Sequence, residues 1–161
     1  MNKQDVVAVV LGGPSSEAEV SRRTGGAIAE ALRAKGYNAV EVELVPEKLV
    51  EQLREIDAKV VFNAVHGMYG EDGRLQSILE AIKMPYTGSG VLASAVAMDK
   101  VATKRFLISA NISTPKCLMY NKRFDNDMAK IEKEIIETFG VPVVIKAADQ
   151  GSSIGVEIVK E

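Results

Sequence analysis

The sequence has 161 residues, with 20 Lys and Arg against 22 Asp and Glu, 47% hydrophobic residues and 26% charged ones. This is the balance of a folded chain of one domain, or one and part of another, and it excludes extensive disorder. The net charge of -2, four Phe, four Tyr and no Trp argue against a nucleic-acid groove, and a single cysteine and a single histidine exclude an intrachain disulfide and a Cys- or His-rich metal site.

Residues 1–5 run directly into a strand-like stretch rather than a signal peptide. Val6 to Leu11 (VVAVVL) is continuous, apolar and β-branched, the pattern of a strand buried in a parallel sheet. Ser16 to Lys35 has helical spacing, with Val20, Ala27, Ile28, Ala31 and Leu32 expected inward. Ser16 and Glu19 have capping-box spacing, and Gly36 is a stop. Val40, Val42 and Leu44 alternate with acids and predict a half-buried strand. Pro46 suits the first turn of a helix carrying Leu49, Val50, Leu53 and Ile56. Val60 to Val65 predicts a third strand, Arg74 to Lys83 a helix, and Met84 to Thr87 a short fourth strand before Gly88-Ser89-Gly90. Strict alternation of this kind favours a Rossmann-like parallel α/β sheet.

After Gly90 the style changes. Val91 to Met98 reads as an almost wholly apolar helix, and Asp99 to Ala110 as a second helix capped by Asp99. A strand is expected over Pro115 to Tyr120, a helix over Asp125 to Phe139, and strands over Pro142 to Ala148 and Ile154 to Val159 around a Gly-Ser turn. The expected organisation is a parallel-sheet domain over 1–90, a helical connection over 91–114, and a partial second domain over 115–161. No stretch approaches the 18–20 apolar residues of a membrane span. One cysteine fits a reducing cytoplasm.

Four stretches could carry chemistry. Gly12-Gly13-Pro14-Ser15-Ser16-Glu17 is the first strand-to-helix turn, a favoured ligand position in such sheets. It is neither G-x-G-x-x-G nor a Walker A loop. Glu17 there would repel phosphate and attract an ammonium, or it simply complements the helix dipole. His66-Gly67-Met68-Tyr69-Gly70-Glu71-Asp72-Gly73 leaves the third strand at the same edge. His66 is there either a ligand-crevice residue or a hydrogen-bonded structural one. Glu71 and Asp72 could ligate a metal, face solvent or cap the next helix. Lys100, near a helix start, is ordinarily a solvated charge. Lys146 interrupts an apolar strand before Gly151-Ser152-Ser153-Ile154-Gly155. Either the loop folds amides and hydroxyls over a phosphate chain, or it is a hairpin turn with Lys146 on the wet face.

Taken in order, GGPSSEAEVS, HGMYGEDG, TGSGVLASAVAMDK and VIKAADQGSSIGV closely resemble the D-alanine–D-alanine ligases of the ATP-grasp superfamily, from about Val6 to Val159. The resemblance implies a Rossmann-like domain followed by the start of an α+β ATP-grasp subdomain. It also implies ATP-dependent joining of two D-alanines through an acyl phosphate, for peptidoglycan and cell-wall synthesis. On that resemblance Glu17 meets the ammonium of the first D-alanine, and His66 lies near that substrate in a supporting role. Ser152 joins Glu17 in a hydrogen-bond network, so the two are expected to converge. Lys100 and Lys146 hold ATP phosphates, and Ser153 belongs to the loop over the nucleotide. Mg²⁺ is implied as ATP's companion, with its ligands expected outside these 161 residues and no metal ligand within them.

A homodimer is implied as well. Two positions depart from the family pattern, Ala147 where proline is common and Gln150 where an acid is common. Such ligases run to roughly twice this length, so the chain is expected to be a portion that is inactive alone. The competing expectations are a non-catalytic ligand-binding or dimerisation module, and another carboxylate–amine ligase of the superfamily. GGPSSEAEVS and the His-Gly loop argue against the latter.

Overall fold

The computed structural model describes residues 2–161, in two compact units that divide between Met98 and Asp99. In the first unit, three parallel strands, β1 (Val6–Leu11), β2 (Asn38–Glu43) and β3 (Ala58–Asn63), form a sheet in the order β2-β1-β3. The register sets Val10 opposite Val42 on one side and Asn63 on the other. The carboxyl ends of β1 and β3 are therefore level neighbours. β1 is buried along nearly its whole length, as its unbroken apolar run requires.

The two faces of the sheet bury different sets of side chains. Ala8, Val10, Val42 and Val61 pack with Leu49 and Leu53 of α2 (Leu49–Glu55) and Leu75 and Leu79 of α3 (Arg74–Ala81). Val9, Ala39 and Ala64 pack with Ala29 of α1 (Ala18–Ala34), with Ile28 and Leu32 at the margin. The four leucines are sealed from solvent, and each stabilises the unit by roughly 1.5–3 kcal/mol through burial. Gly36 ends α1 as expected, at φ +80°, with its amide donating to the Arg33 carbonyl.

Several local expectations fail for physical reasons. α1 turns Ser21, Gly25 and Ala29 inward, whereas Val20 is half exposed. Gly25 explains the rotation: a Cβ there would stand 2.6 Å from Leu11 Cβ, so the helix meets β1 along its smallest side chains. The capping box does not form either. Glu17 occupies the cap without a side-chain cap bond, and Ser15, not Ser16, accepts the Glu17 amide at 3.0 Å. Pro46 lies in the turn before α2, three residues ahead of the helix. The fourth strand shrinks to one parallel bridge between Tyr86 and Val61. Pro85 has no amide to continue a ladder, and the Thr87 hydroxyl instead accepts the Asn63 amide. α4 (Val91–Met98) has the expected bounds.

In the second unit, α5 (Lys100–Ser109) is capped by Asp99, which accepts from the Val101 and Ala102 amides. α6 (Met128–Phe139) is capped by Asp127 and closed by Gly140 at φ +68°. β4 (Val143–Lys146) and β5 (Val156–Val159) pair antiparallel, as expected, with Lys146 opposite Val156. The expected strand over 115–120 is irregular chain with no ladder partner among the described residues. It is tethered from the side, since Lys104 donates to the Thr114 hydroxyl and the Pro115 carbonyl. β4 is largely exposed, so Lys146 does not enter a buried strand. Among the described residues no helix is long and apolar enough to cross a membrane.

Candidate functional site

In the first unit the strand order itself selects a crevice. The chain leaves β1 toward β2 on one side and returns to β3 on the other, so the carboxyl ends of β1 and β3 border a topological switch point. The two loops expected to carry chemistry start there. The turn after β1 is shaped by Gly12 and Gly13, at φ +70° and +86°. It hands the chain to Ser15, whose carbonyl accepts the Ala18 amide, and to Glu17 at the head of α1.

The loop after β3 comes against that acid. Gly67 sits at φ +67°, and a Cβ placed on it would lie 2.7 Å from Glu17 Oε2 and 2.9 Å from Ser15 Oγ. The glycine thus lets backbone rest directly beside a carboxylate. His66 is held through one ring nitrogen, and the other faces a carboxylate. Nε2 lies 3.2 Å from Thr24 Oγ1, and Nδ1 lies 3.9 Å from Glu71 Oε1. The other oxygen of Glu71 accepts the Gly67 amide at 3.0 Å. Asp72, one residue ahead of the Gly73 cap of α3, accepts the Tyr69 and Arg74 amides and pairs with the Arg74 side chain at 3.4 Å. Among the described residues no group of three or more His, Cys, Asp or Glu side chains is placed to hold a metal ion.

The electrostatics follow from this inventory. Glu17 and Glu71 flank Gly67, and no cation of the described residues pairs with Glu17. A Glu17 carboxylate with no competing side-chain cation favours a positively charged, hydrogen-bond-donating group. On the far side of α1, Arg22 forks onto Glu43 at 2.7 and 3.1 Å, and Glu43 also accepts the Gly13 amide. The Arg22 guanidinium holds the Glu43 carboxyl below the usual carboxylate range, against a smaller opposing effect of burial. Beneath the His-Gly loop lies a cavity of about 360 Å³, bordered by Asn63, Gly70, Gln76 and Ser94.

The second unit assembles a separate set. The Lys100 amide donates to the Ala148 carbonyl at 2.9 Å, and its Nζ donates to the Gln150 carbonyl at 2.7 Å. The loop between β4 and β5, residues 147–155, is longer than a tight hairpin turn. Its neck is closed by the Ala147 amide on the Gly155 carbonyl at 2.8 Å. Ser152, at φ +51°, and Ser153 occupy its exposed crown, and Lys146 its foot. A lysine laced to a Gly-Ser loop is a set of donors suited to phosphate oxygens.

Two family models match the sequence, the D-ala D-ala ligase N-terminus over residues 43–89 and the D-ala D-ala ligase C-terminus over residues 106–161. The D-alanine–D-alanine ligase of Moorella thermoacetica is 47% identical over 156 residues, covering 96% of this chain and 50% of its own length. That of Carboxydothermus hydrogenoformans is 45% identical, at 95% and 49% coverage. The chain belongs to the D-alanine–D-alanine ligase family. It spans about half the length of the curated relatives it matches, from their amino-terminal side. The D-alanine–D-alanine ligase of Bacillus anthracis superposes with a TM-score of 0.83 at 35% identity, covering 98% of this chain and 50% of that one. A structure of the same enzyme complexed with ATP gives 0.81 at 34%. The α/β class with a parallel sheet, expected from alternation, is that of this ATP-grasp family.

Of the expected site residues, Glu17 and His66 belong to the first unit and flank one crevice. Lys100, Lys146, Ser152 and Ser153 belong to the second and surround one loop. Thr24 and the supporting roles of Ser15 and Glu71 were not anticipated. Glu17 and Thr24 stand at i and i+7 on α1, with Ser21 between them at i+4. That polar stripe on an inward helix face is the signal that reveals them.

Proposed function

We propose that this chain forms the amino-terminal part of an ATP-dependent ligase that joins two D-alanines, the dipeptide serving peptidoglycan synthesis. The observation that carries the reading is the Glu17 carboxylate, set against Gly67 at the switch point without a cationic partner. An ammonium is the complementary group, and a small amino acid has one. Glu17 binds and orients that ammonium, while His66, braced by Thr24, walls the crevice beside it. Lys100 and Lys146 take phosphate oxygens of ATP, with Ser152 and Ser153 of the 147–155 loop adding hydroxyl donors. ATP supplies the phosphoryl group that makes the first carboxylate electrophilic, so that the second amine can displace phosphate. Mg²⁺ accompanies ATP in this reading. Among the described residues no group of three or more His, Cys, Asp or Glu side chains is placed to hold it.

The remaining proposals are that residues 1–90 are the pre-ATP-grasp domain, 91–114 a connection and 115–161 part of the central subdomain. The 161 residues alone bind substrate without turnover, since the relatives are about twice as long. The protein is a cytoplasmic homodimer, and the almost wholly apolar α4, with Leu92 72% exposed, is consistent with burial against a second copy.

Calorimetry of the chain with D-alanine and with Mg-ATP tests the assignment. Glu17→Gln removes a charge-assisted bond of roughly 1.5–3 kcal/mol, so D-alanine affinity falls about tenfold or more while the melting curve holds. Binding of neither ligand by a stable dimer favours the non-catalytic module instead. D-alanine-dependent ADP release would overturn the proposal that the chain is inactive alone.

A further inference from the structure

The loops that bear Glu17 and His66 are far apart in sequence, and something must fix their spacing where the β1–β3 ladder ends. Ser21 stands at that point. It is fully buried, and its Oγ accepts the Gly12 amide at 2.8 Å and donates to the Ala64 carbonyl at 2.7 Å. Gly12 is the first residue beyond β1, and Ala64 the first beyond β3. One hydroxyl therefore satisfies the last donor of one strand exit and an acceptor of the other.

We infer that Ser21 is a positioning residue for the ammonium crevice, locking the Glu17 turn and the His66 loop to a single helix. The inference rests on the reading that this crevice binds D-alanine. The chemistry is specific to a small hydroxyl. Alanine leaves a buried amide and a buried carbonyl unpaired where solvent does not reach. α1 carries Glu17 at its head, Ser21 one turn on and Thr24 against His66, so a slip at Ser21 is transmitted to both edges of the crevice. Gly25, a further turn along, keeps the helix close enough to β1 for the Ser21 bonds to be short.

The sequence holds one histidine, so the imidazole carbon–proton cross-peak of His66 in an NMR spectrum is unambiguous. The test compares the 161-residue chain with Ser21→Ala, with Ser21→Cys as the milder change should alanine not fold, and with Leu53→Ala. The last truncates the core on the opposite face of the sheet from α1. The serine variants are expected to displace the His66 cross-peak and the Gly67 amide before ligand is added, and to weaken D-alanine binding at least tenfold. Leu53→Ala lowers stability but moves neither signal. The inference is overturned if a folded serine variant keeps the wild-type His66 resonance and D-alanine affinity, or if Leu53→Ala reproduces its effects. Should the wild-type chain bind no D-alanine, the ligand assignment fails, and the ligand-free His66 and Gly67 signals alone decide the positioning role.

Discussion

Replacing Gly67 by alanine separates two costs that the crevice imposes on one residue. At φ +67° an L side chain is strained, a cost of roughly 1–2 kcal/mol. The new methyl also lands 2.7 Å from Glu17 Oε2 and 2.9 Å from Ser15 Oγ. Those atoms end mobile side chains, so they move aside rather than unfold the loop. The second cost therefore appears as a displaced carboxylate. For a unit of this size, 1 kcal/mol corresponds to about 4–8 °C in melting temperature. A carboxylate pushed off its place forfeits a charge-assisted bond of roughly 1.5–3 kcal/mol, or about 10- to 100-fold in D-alanine affinity. Gly26→Ala is the matched control: it lies within α1, and a Cβ there meets nothing within 4 Å. That variant is expected to be neutral or stabilised by about 0.5–1 kcal/mol, with unchanged affinity. Thermal melts and calorimetry on both variants decide the matter. If Gly67→Ala melts and binds like Gly26→Ala, the close approach of backbone to Glu17 is not what shapes the crevice.

Gly25→Ala should gain helix propensity of about 1 kcal/mol yet lose more, because its methyl meets Leu11 Cβ at 2.6 Å and overpacking costs roughly 1–3 kcal/mol. A net rise in melting temperature would contradict the tight α1–β1 contact. Glu43 is held in its charged form by Arg22, so its contribution is complete above its unfolded pKa and lost as pH falls through the lowered folded value. Glu43→Gln should therefore destabilise the protein at neutral pH and reduce the loss of stability below about pH 4, read from melts across pH 2–7. Lys100→Ala removes the bond to the Gln150 carbonyl. Hydrogen exchange in 149–153 should quicken, while the neck amide of Ala147 stays protected by Gly155.

How far the fold was legible depended on how much each element relies on distant partners. Val6–Leu11 and Val91–Met98 are read to the residue, because an unbroken apolar run bounded by glycine or a capping acid is a local signal. The inward face of α1 departs from its apolar pattern because apolar character is not the measure of burial there. Contact with β1 is so close that Ser21, Gly25 and Ala29 win over Val20 and Ala31. The stretch from Pro115 to Tyr120 has strand-like composition but no ladder partner among the described residues, and a strand is defined by its neighbour rather than by its own residues.

The candidate crevice was legible in part for a related reason. Alternating strands and helices predict parallel pairing, and the glycine-rich turns at strand ends point to where ligands bind, but neither specifies the order of strands. With the order β2-β1-β3, the turns after the first and third strands become neighbours, and Glu17 comes to lie beside Gly67. In the order β1-β2-β3 the same two motifs would stand one strand further apart, by about 4.8 Å. The buried hydroxyl of Ser21 adds a preference for the observed order. It finds the Ala64 carbonyl and the Gly12 amide together only where β1 and β3 are adjacent. A serine on the inward face of a helix, four residues after an acid at the helix head, is thus a topological signal as well as a local one. It favours the sheet order that brings the ammonium-binding groups together.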